Sequence, residues 1–269
     1  MAEKFVIAGT AEEAAALKTA EAAYLAGGTE INRLNSLVDP KVLISIRGID
    51  ELKTLGIRDD RVVIGAGCTF QDVVECEAVP EYFKEACLFM GSRTKRNMAT
   101  IGGNIAMKRD DSYILPTLIA AGAVLMLMGA DGSTCDVRID EYLTIGEGHY
   151  ENDLILSVSI PETLDFIENN RQANTVESNA RMTVSLSVNG GKYKAGLAMK
   201  KAGIYILDDL AAKLTDDPDM TEEELIAWAK AKTMPLEDDK IFGGAEYRRY
   251  LLGVVIARML RDYGKGGQS

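Results

Sequence analysis

Leu25-Ala26-Gly27-Gly28-Thr29-Glu30 is the stretch on which the reading of this chain turns. A short apolar run from Ala22 to Ala26 reads as a strand, and the glycine pair ends it. After Glu30 the residues Ile31, Leu34 and Leu37 return at helical spacing. Glycine adopts positive φ at little cost and lets another group approach the backbone closely. Consecutive amides at a turn or helix start attract anions such as phosphate, and Thr29 can add a hydroxyl donor. Alone, such a segment is more often an ordinary tight turn than a binding loop.

A second stretch repeats the ingredients. Asn97-Met98-Ala99-Thr100-Ile101-Gly102-Gly103-Asn104-Ile105 holds a hydroxyl, two glycines and an amide side chain. Two such loops could clamp a pyrophosphate from both sides. Neither is followed by Lys-Ser or Lys-Thr, which excludes a P-loop. Neither is spaced as GxGxxG, which disfavours a Rossmann nucleotide site.

Working outward, Thr10-Ala11-Glu12-Glu13 has the form of a capping box before an alanine-rich helix. Lys41–Ile46 reads as a buried strand. Leu55–Ile57 and Arg61–Gly65 read as two more, joined at Asp59-Asp60. A helix is predicted from Thr69, with Asp72 three residues on. Another covers Glu81–Met90 and stops at Gly91. Helix-like residues run from Tyr113 to Ala121. Val124–Met128 and Thr134–Val137 flank the hairpin signal Asp131-Gly132. Leu154–Ile160 is a strand ended by Pro161. Beyond Pro161 the character changes. Arg181–Val188 alternates strictly, and Asn189-Gly190-Gly191 turns it into Tyr193–Met199. Glu222–Ala231 and Tyr247–Tyr263 read as amphipathic helices, and Gly264–Ser269 as a frayed tail. A domain boundary is placed near Pro161–Asn170.

Bulk properties narrow the function classes. The chain has 269 residues, 47% hydrophobic and 26% charged, with a formal net charge of −11. That charge opposes nucleic acid and anionic lipid, both of which need a positive surface. No apolar run follows a basic start, so no signal peptide is read. Ile114–Ala130 is the most apolar stretch, but Pro116, Gly122 and Gly129 break it, so no membrane span is expected. Cys68, Cys76, Cys87 and Cys135 contain no CxxC pair, which speaks against zinc or iron–sulfur ligation by this chain. They are read as buried free thiols of a cytoplasmic protein.

The two loops and their flanks resemble the flavoprotein family of xanthine dehydrogenase and carbon monoxide dehydrogenase. Ala26-Gly27-Gly28-Thr29-Glu30-Ile31 is similar to the first FAD loop of that family, and Arg96–Ile105 to the second. The resemblance continues through Ile64-Gly65-Ala66-Gly67, Leu115-Pro116, Leu154–Pro161 and Tyr247–Leu252, in order along nearly the whole chain. It implies an α+β fold of the vanillyl-alcohol-oxidase/PCMH type. In that fold a FAD-binding domain at residues 1–165, with lobes at about 1–55 and 56–165, precedes a C-terminal domain of antiparallel sheet and helices at 166–269. It implies a FAD-dependent oxidoreductase subunit of a molybdenum hydroxylase. The partners would be a molybdopterin-binding large subunit and an iron–sulfur small subunit, with NAD or another molecule as electron acceptor.

By position, the resemblance implies that Leu25, Ala26, Gly27, Gly28, Thr29, Glu30 and Ile31 hold the pyrophosphate and adjoining ribityl. Thr100, Ile101, Gly102, Gly103 and Asn104 would do so from the other side. Met90 and Ile155 would lie near the cofactor. Arg171 falls where the family carries a basic residue near the flavin, which would favour negative charge on the ring. One departure stands out: where the family often has an aspartate before the proline, this chain has Tyr113, with Asp110 and Asp111 as nearby substitutes. The alternatives are a self-sufficient FAD-dependent reductase of the same fold, and an assembly subunit that has lost FAD. No proton-donor motif is found for the first, and the Tyr113 departure motivates the second.

His149, the only histidine, reads as a surface-loop residue rather than a flavin attachment point. Arg93, Lys95 and Arg96 form a basic cluster that could neutralise diphosphate or simply be solvated. Glu30 could contact a ribose-type hydroxyl or cap a helix start. Trp228 reads as core or partner contact.

Overall fold

A computed structural model describes residues 3–32, 36, 39–144, 149–150, 152–176 and 178–266. The chain divides into two compact units. The first comprises Met1–Lys108 with Gly122–Glu162, and the second comprises Arg109–Ala121 with Thr163–Ser269. The sequence places its boundary near Pro161–Asn170; the structure adds an earlier excursion, Arg109–Ala121, that groups with the second unit.

The first unit opens with β1 (Lys4–Ile7), α1 (Ala11–Leu17), β2 (Ala22–Leu25) and β3 (Val42–Ser45). The strands form a parallel sheet in the order β1-β3-β2. The Thr10 hydroxyl accepts the Glu13 amide at 3.1 Å, as the capping pattern predicts, but the Glu13 carboxylate takes the amide of Gly9 at 2.7 Å instead of that of Thr10. Ala11, Ala14 and Ala15 of α1 pack with Ile44, Ile46, Ile49, Leu52, Met128 and Leu154 in one core.

A one-turn 3-10 helix (Asp50–Lys53) leads to β4 (Leu55–Arg58) and β5 (Arg61–Gly65). Asp59 and Asp60 both take positive φ (51° and 57°) at the turn between them, the geometry that tight hairpins require. Four short helices follow: α2 (Phe70–Glu75), α3 (Glu81–Leu88), α4 (Arg93–Arg96) and α5 (Ile101–Ala106). Thr69 and Asp72 cap α2 reciprocally.

The chain then contributes α6 (Leu115–Ala121) to the second unit and returns with β6 (Val124–Met128), β7 (Thr134–Arg138), α7 (Ile139–Thr144) and β8 (Leu154–Pro161). Together with β4 and β5 these strands form a five-stranded antiparallel sheet in the order β4-β5-β8-β6-β7. The register of β6 on β8 shifts between Met126 and Leu127, so Leu127 faces Ile155.

The second unit is built on β9 (Phe166–Gln172), β10 (Met182–Asn189), β11 (Lys192–Met199) and β12 (Gly203–Ile206), an antiparallel sheet in the order β12-β11-β10-β9. Three helices follow: α8 (Asp208–Asp216), α9 (Glu222–Ala231) and α10 (Ala245–Gly266). The alternation of β10 sorts its faces. Met182, Val184, Leu186 and Val188 join the core made with α8, α9 and α10. Ser185 and Ser187 face α6: Thr117 Oγ1 lies 3.2 Å from Ser185 Oγ, and Ser187 donates to the carbonyl of Ala120 at 2.6 Å. Gly196 of β11 lets α6 sit directly on the sheet, since a Cβ there would lie 2.5 Å from the Pro116 carbonyl oxygen.

Some expectations are revised, while those for Trp228 and His149 hold. Helix α10 continues to Gly266, so Gly264–Gly266 are helical and not frayed; residues 267–269 lie outside the described residues. Leu34 and Leu37, on which the helix after the first glycine loop rested, also lie outside them, and Thr29–Asn32 form a turn. Cys68 and Cys87 are buried, but Cys76 is only half-buried and Cys135 is exposed, because Cys135 lies on the edge strand β7. Trp228 is core, with its indole N–H donating to Asp209 at 2.9 Å. His149 is exposed against the Tyr150 ring. Among the described residues, no helix is long and apolar enough to cross a membrane, and no cluster suits a metal ion.

Candidate FAD site

Both glycine loops lie in the first unit, and the fold brings them together. The first follows the C-terminal end of β2, where the Leu25 carbonyl accepts the amide of Ile46 at 3.1 Å. Gly27 rests on the segment that leads into the second loop. A Cβ on Gly27 would lie 1.7 Å from the Met98 carbonyl oxygen and 3.4 Å from the Ala99 α-carbon. Gly28 takes φ +74°, a conformation that glycine accepts most readily. The turn closes with Asn32 donating to the Gly28 carbonyl at 3.1 Å.

The loops differ in what their backbones offer. Among the described residues, the amides of Gly27, Gly28 and Thr29 have no acceptor. Ala26, Gly27, Gly28, Glu30 and Ile31 are half-buried and Thr29 is exposed. In the second loop every amide from 101 to 104 is already engaged. Ile101 donates to Cys68 at 2.9 Å, Gly102 to Ala66 at 2.9 Å, and Asn104 to the Thr100 carbonyl at 3.0 Å. Gly103 donates to the Thr100 hydroxyl at 3.2 Å, the N-cap of α5. Gly102 is small because it packs on Ala66, whose Cβ would lie 2.5 Å from an added one. The first loop therefore presents open backbone donors. The second presents side chains, chiefly Thr100, whose hydroxyl proton is left to donate.

Ile155 and Met90 connect to this arrangement through neighbours. Ile155 is buried in β8, and the adjacent Leu156 carbonyl accepts the amide of Ala66 at 2.9 Å. Ala66 is the residue on which Gly102 packs. Met90 is buried beyond the end of α3, and its carbonyl accepts from Arg96 Nη1 at 2.7 Å. Arg96 is therefore drawn out of the basic cluster into the protein. Arg93 pairs with Glu75 at 2.8 Å on the surface.

Arg171 belongs to the second unit. Its guanidinium donates to the carbonyls of Thr175, at 3.3 Å, and Ser178, and lies 5.5 Å from the centre of the Tyr113 ring. The candidate substitutes Asp110 and Asp111 are also engaged inside that unit. Lys200 Nζ donates to Asp110 at 2.7 Å and to Asp111 at 3.0 Å, and Arg109 binds both oxygens of Asp111 at 2.8 and 2.9 Å. Burial alone would raise the Asp111 carboxyl. The hydrogen bonds and charges of Arg109 and Lys200 outweigh that and hold it below the ordinary carboxylate range.

Residues 1–163 match the family described as the FAD binding domain in molybdopterin dehydrogenase. The chain belongs to that family. The protein YgfM of Escherichia coli (strain K12), described as uncharacterized, is 28% identical over 279 residues, covering 100% of this chain and 99% of its own. The carbon monoxide dehydrogenase medium chain of Afipia carboxidovorans is 28% identical over 262 residues, covering 88% of this chain and 87% of its own. In fold, the chain matches a structure of reconstituted CO dehydrogenase from Oligotropha carboxidovorans with a TM-score of 0.82, 24% identity and 97% coverage of both chains. The mixed α/β architecture with antiparallel sheets is thus that of a FAD-binding oxidoreductase family. The sequence resemblance to molybdenum hydroxylase flavoproteins is borne out.

Proposed function

We propose that this chain is the FAD-carrying subunit of a molybdenum hydroxylase complex, working beside a molybdopterin-binding large subunit and an iron–sulfur small subunit. The observation that carries this reading is the row of amides at Gly27, Gly28 and Thr29 that have no acceptor among the described residues, set against the segment that opens the second loop. Such amides attract a diphosphate. Gly27, Gly28 and Thr29 would hold it through backbone N–H groups. Thr100 and Asn104 would add side-chain contacts, and Met90 and Ile155 would border the cofactor. Arg171 would supply positive charge near the ring, with its guanidinium oriented by Tyr113 and the Thr175 and Ser178 carbonyls. When bound, FAD supplies the capacity to accept and release electrons singly or in pairs. Electrons would arrive from the partner iron–sulfur clusters and leave to NAD or another acceptor. The chain's own work is to hold, orient and shield the cofactor.

The test begins with the absorbance spectrum of the purified full chain. Flavin bands near 450 nm (roughly, by the nature of the cofactor) and release of FAD on denaturation support the reading. A colourless chain that does not bind added FAD overturns it and leaves the assembly role. Co-purification of molybdenum- and iron-containing chains supports the subunit assignment. Reduction of the bound flavin by an organic substrate without partners would favour the self-sufficient reductase.

A further inference from the structure

We infer that Arg96 is a positioning residue for the cofactor, acting through backbone carbonyls and not through its charge. The inference rests on the FAD reading above and assigns one residue's part in it.

The geometry is a three-way clamp. Arg96 Nε donates to Gln71 Oε1 at 2.9 Å, and Nη1 donates to the carbonyls of Met90 at 2.7 Å and Gly91 at 3.1 Å. Gln71 is buried in α2 and is itself fixed by donating to Glu75 at 2.8 Å. One guanidinium thereby ties α2 to the chain just past α3. It does so from the last residue of α4, two residues before Met98. The Met98 carbonyl is the atom on which Gly27 rests. The segment that follows is anchored again, with Ala99 donating to Lys95 at 2.8 Å and accepting from Phe70 at 3.0 Å. Arg96 therefore sets both the position of Met90 and the launch point of the second loop. The guanidinium donates to the side-chain oxygen from Nε and to the two carbonyls from Nη1, separate atoms fixed in one plane; an ammonium offers its donors from a single point on a flexible stem. The side chains of Arg93 and Lys95 are exposed, and among the described residues they make no hydrogen bond to this segment; that of Arg93 pairs with Glu75.

Two roles for the basic cluster predict opposite outcomes. If it neutralises diphosphate by charge, Arg93→Ala and Lys95→Ala weaken FAD binding, and Arg96→Lys, which keeps the charge, does not. If Arg96 positions, Arg96→Lys weakens binding on the order of tenfold, the size expected for losing a charge-assisted hydrogen bond. Arg93→Ala and Lys95→Ala then leave binding unchanged. The experiment is FAD titration of the full-length apo-chain by fluorescence quenching, with the visible circular dichroism of the bound flavin as second readout. A role in stability alone lowers the melting temperature but leaves the dichroism of the bound fraction intact; positioning changes both the affinity and that spectrum. Gln71→Met, which removes the acceptor of Arg96 Nε together with the Gln71–Glu75 bond but leaves the Arg96 bonds to the Met90 and Gly91 carbonyls, gives a milder change in the same direction and serves if Arg96→Lys does not fold. Wild-type affinity and dichroism in Arg96→Lys, or in Gln71→Met in its place, overturn the inference while the FAD reading stands. Absence of FAD binding by the wild-type chain overturns both.

Discussion

The carbonyl oxygen of Met98 occupies the space that a side chain on Gly27 would need, 1.7 Å from where its Cβ would stand. Backbone cannot yield as a flexible side chain can. Gly27→Ala must push residues 97–100 away from the first loop, at a cost of about 1–3 kcal/mol typical of overpacking. FAD affinity should fall by at least about tenfold. Gly28→Ala meets only side-chain atoms, the end of Asn32 at 2.8 Å and Leu25 Cδ1 at 3.4 Å, plus the strain of positive φ, which costs about 1 kcal/mol. Titration and melting of the two variants side by side check this. Equal FAD affinities would mean that the contact between the loops does not shape the site.

The carboxylate of Asp111 links Arg109 to Lys200 within the second unit. Because its folded pKa is depressed, the stability it contributes is present above the ordinary carboxylate value of about 4. That stability is lost as pH falls through the lower folded value. Asp111→Asn should lower stability by about 3 kcal/mol near neutrality, as expected when one partner of a buried pair is removed. The difference in melting temperature between wild type and variant should be steady from pH 7 to about 4 and shrink over the range below it. A gap that stays constant across that range contradicts the assignment.

Thr183 is fully buried, and its hydroxyl has no hydrogen-bond partner among the described residues. Its neighbour on the same sheet face, Ser185, donates to Asn169 at 2.7 Å. The two should respond oppositely. Thr183→Val keeps the shape and removes an unsatisfied polar atom, so it should be neutral or stabilising by about 1 kcal/mol. Ser185→Ala breaks a made bond and should cost about 1 kcal/mol or more. Urea melts of both variants provide the comparison, and a destabilised Thr183→Val would show that its hydroxyl has a partner after all.

Thiol chemistry should follow burial. Burial pushes the Cys68 thiol up to about 11 and that of fully buried Cys87 higher still. Alkylation of the native protein at pH 8, read by peptide mass spectrometry, should modify Cys76 and Cys135 and spare Cys68 and Cys87 until denaturant is added. Burial, then the charges of Asp153, Asp136 and Glu141, also raise Cys135, so it should react more slowly than its exposure suggests. Rapid native labelling of Cys68 would contradict the packing described around it.

The parts of the fold legible in the sequence are those punctuated by turn chemistry. Asp59-Asp60, Asp131-Gly132 and Asn189-Gly190-Gly191 each mark a hairpin, and each places residues at positive φ. The strands that escape notice are β1, β9 and β12. All three are sheet edges, where partial cover leaves no clear alternation to read. The sequence of β9, FIENNRQ, is half-buried nearly throughout. In β1 the apolar residues Phe5 and Ile7 are exposed. The site divides in the same way. Two glycine loops can be found by composition. That one keeps its amides open while the other spends them on Ala66 and Cys68 depends on residues more than 30 positions away. The role of Arg96 is hidden for a related reason: three basic residues in four look alike until one of them turns inward.

Helix α6 raises a question of order in time. Residues 115–121 are all buried, and the strands beneath them, at 182–199, are encoded more than 60 residues later. As the chain is synthesised, an apolar helix is made long before the sheet it is meant to cover. The first unit must close around a gap in its own sequence while that helix waits. A fragment cut after residue 163 would keep the stretch that identifies the family and yet expose that helix. Dissecting this protein into halves at the obvious boundary should therefore give an aggregation-prone piece, whereas a cut that respects both crossings needs the chain to be re-ordered.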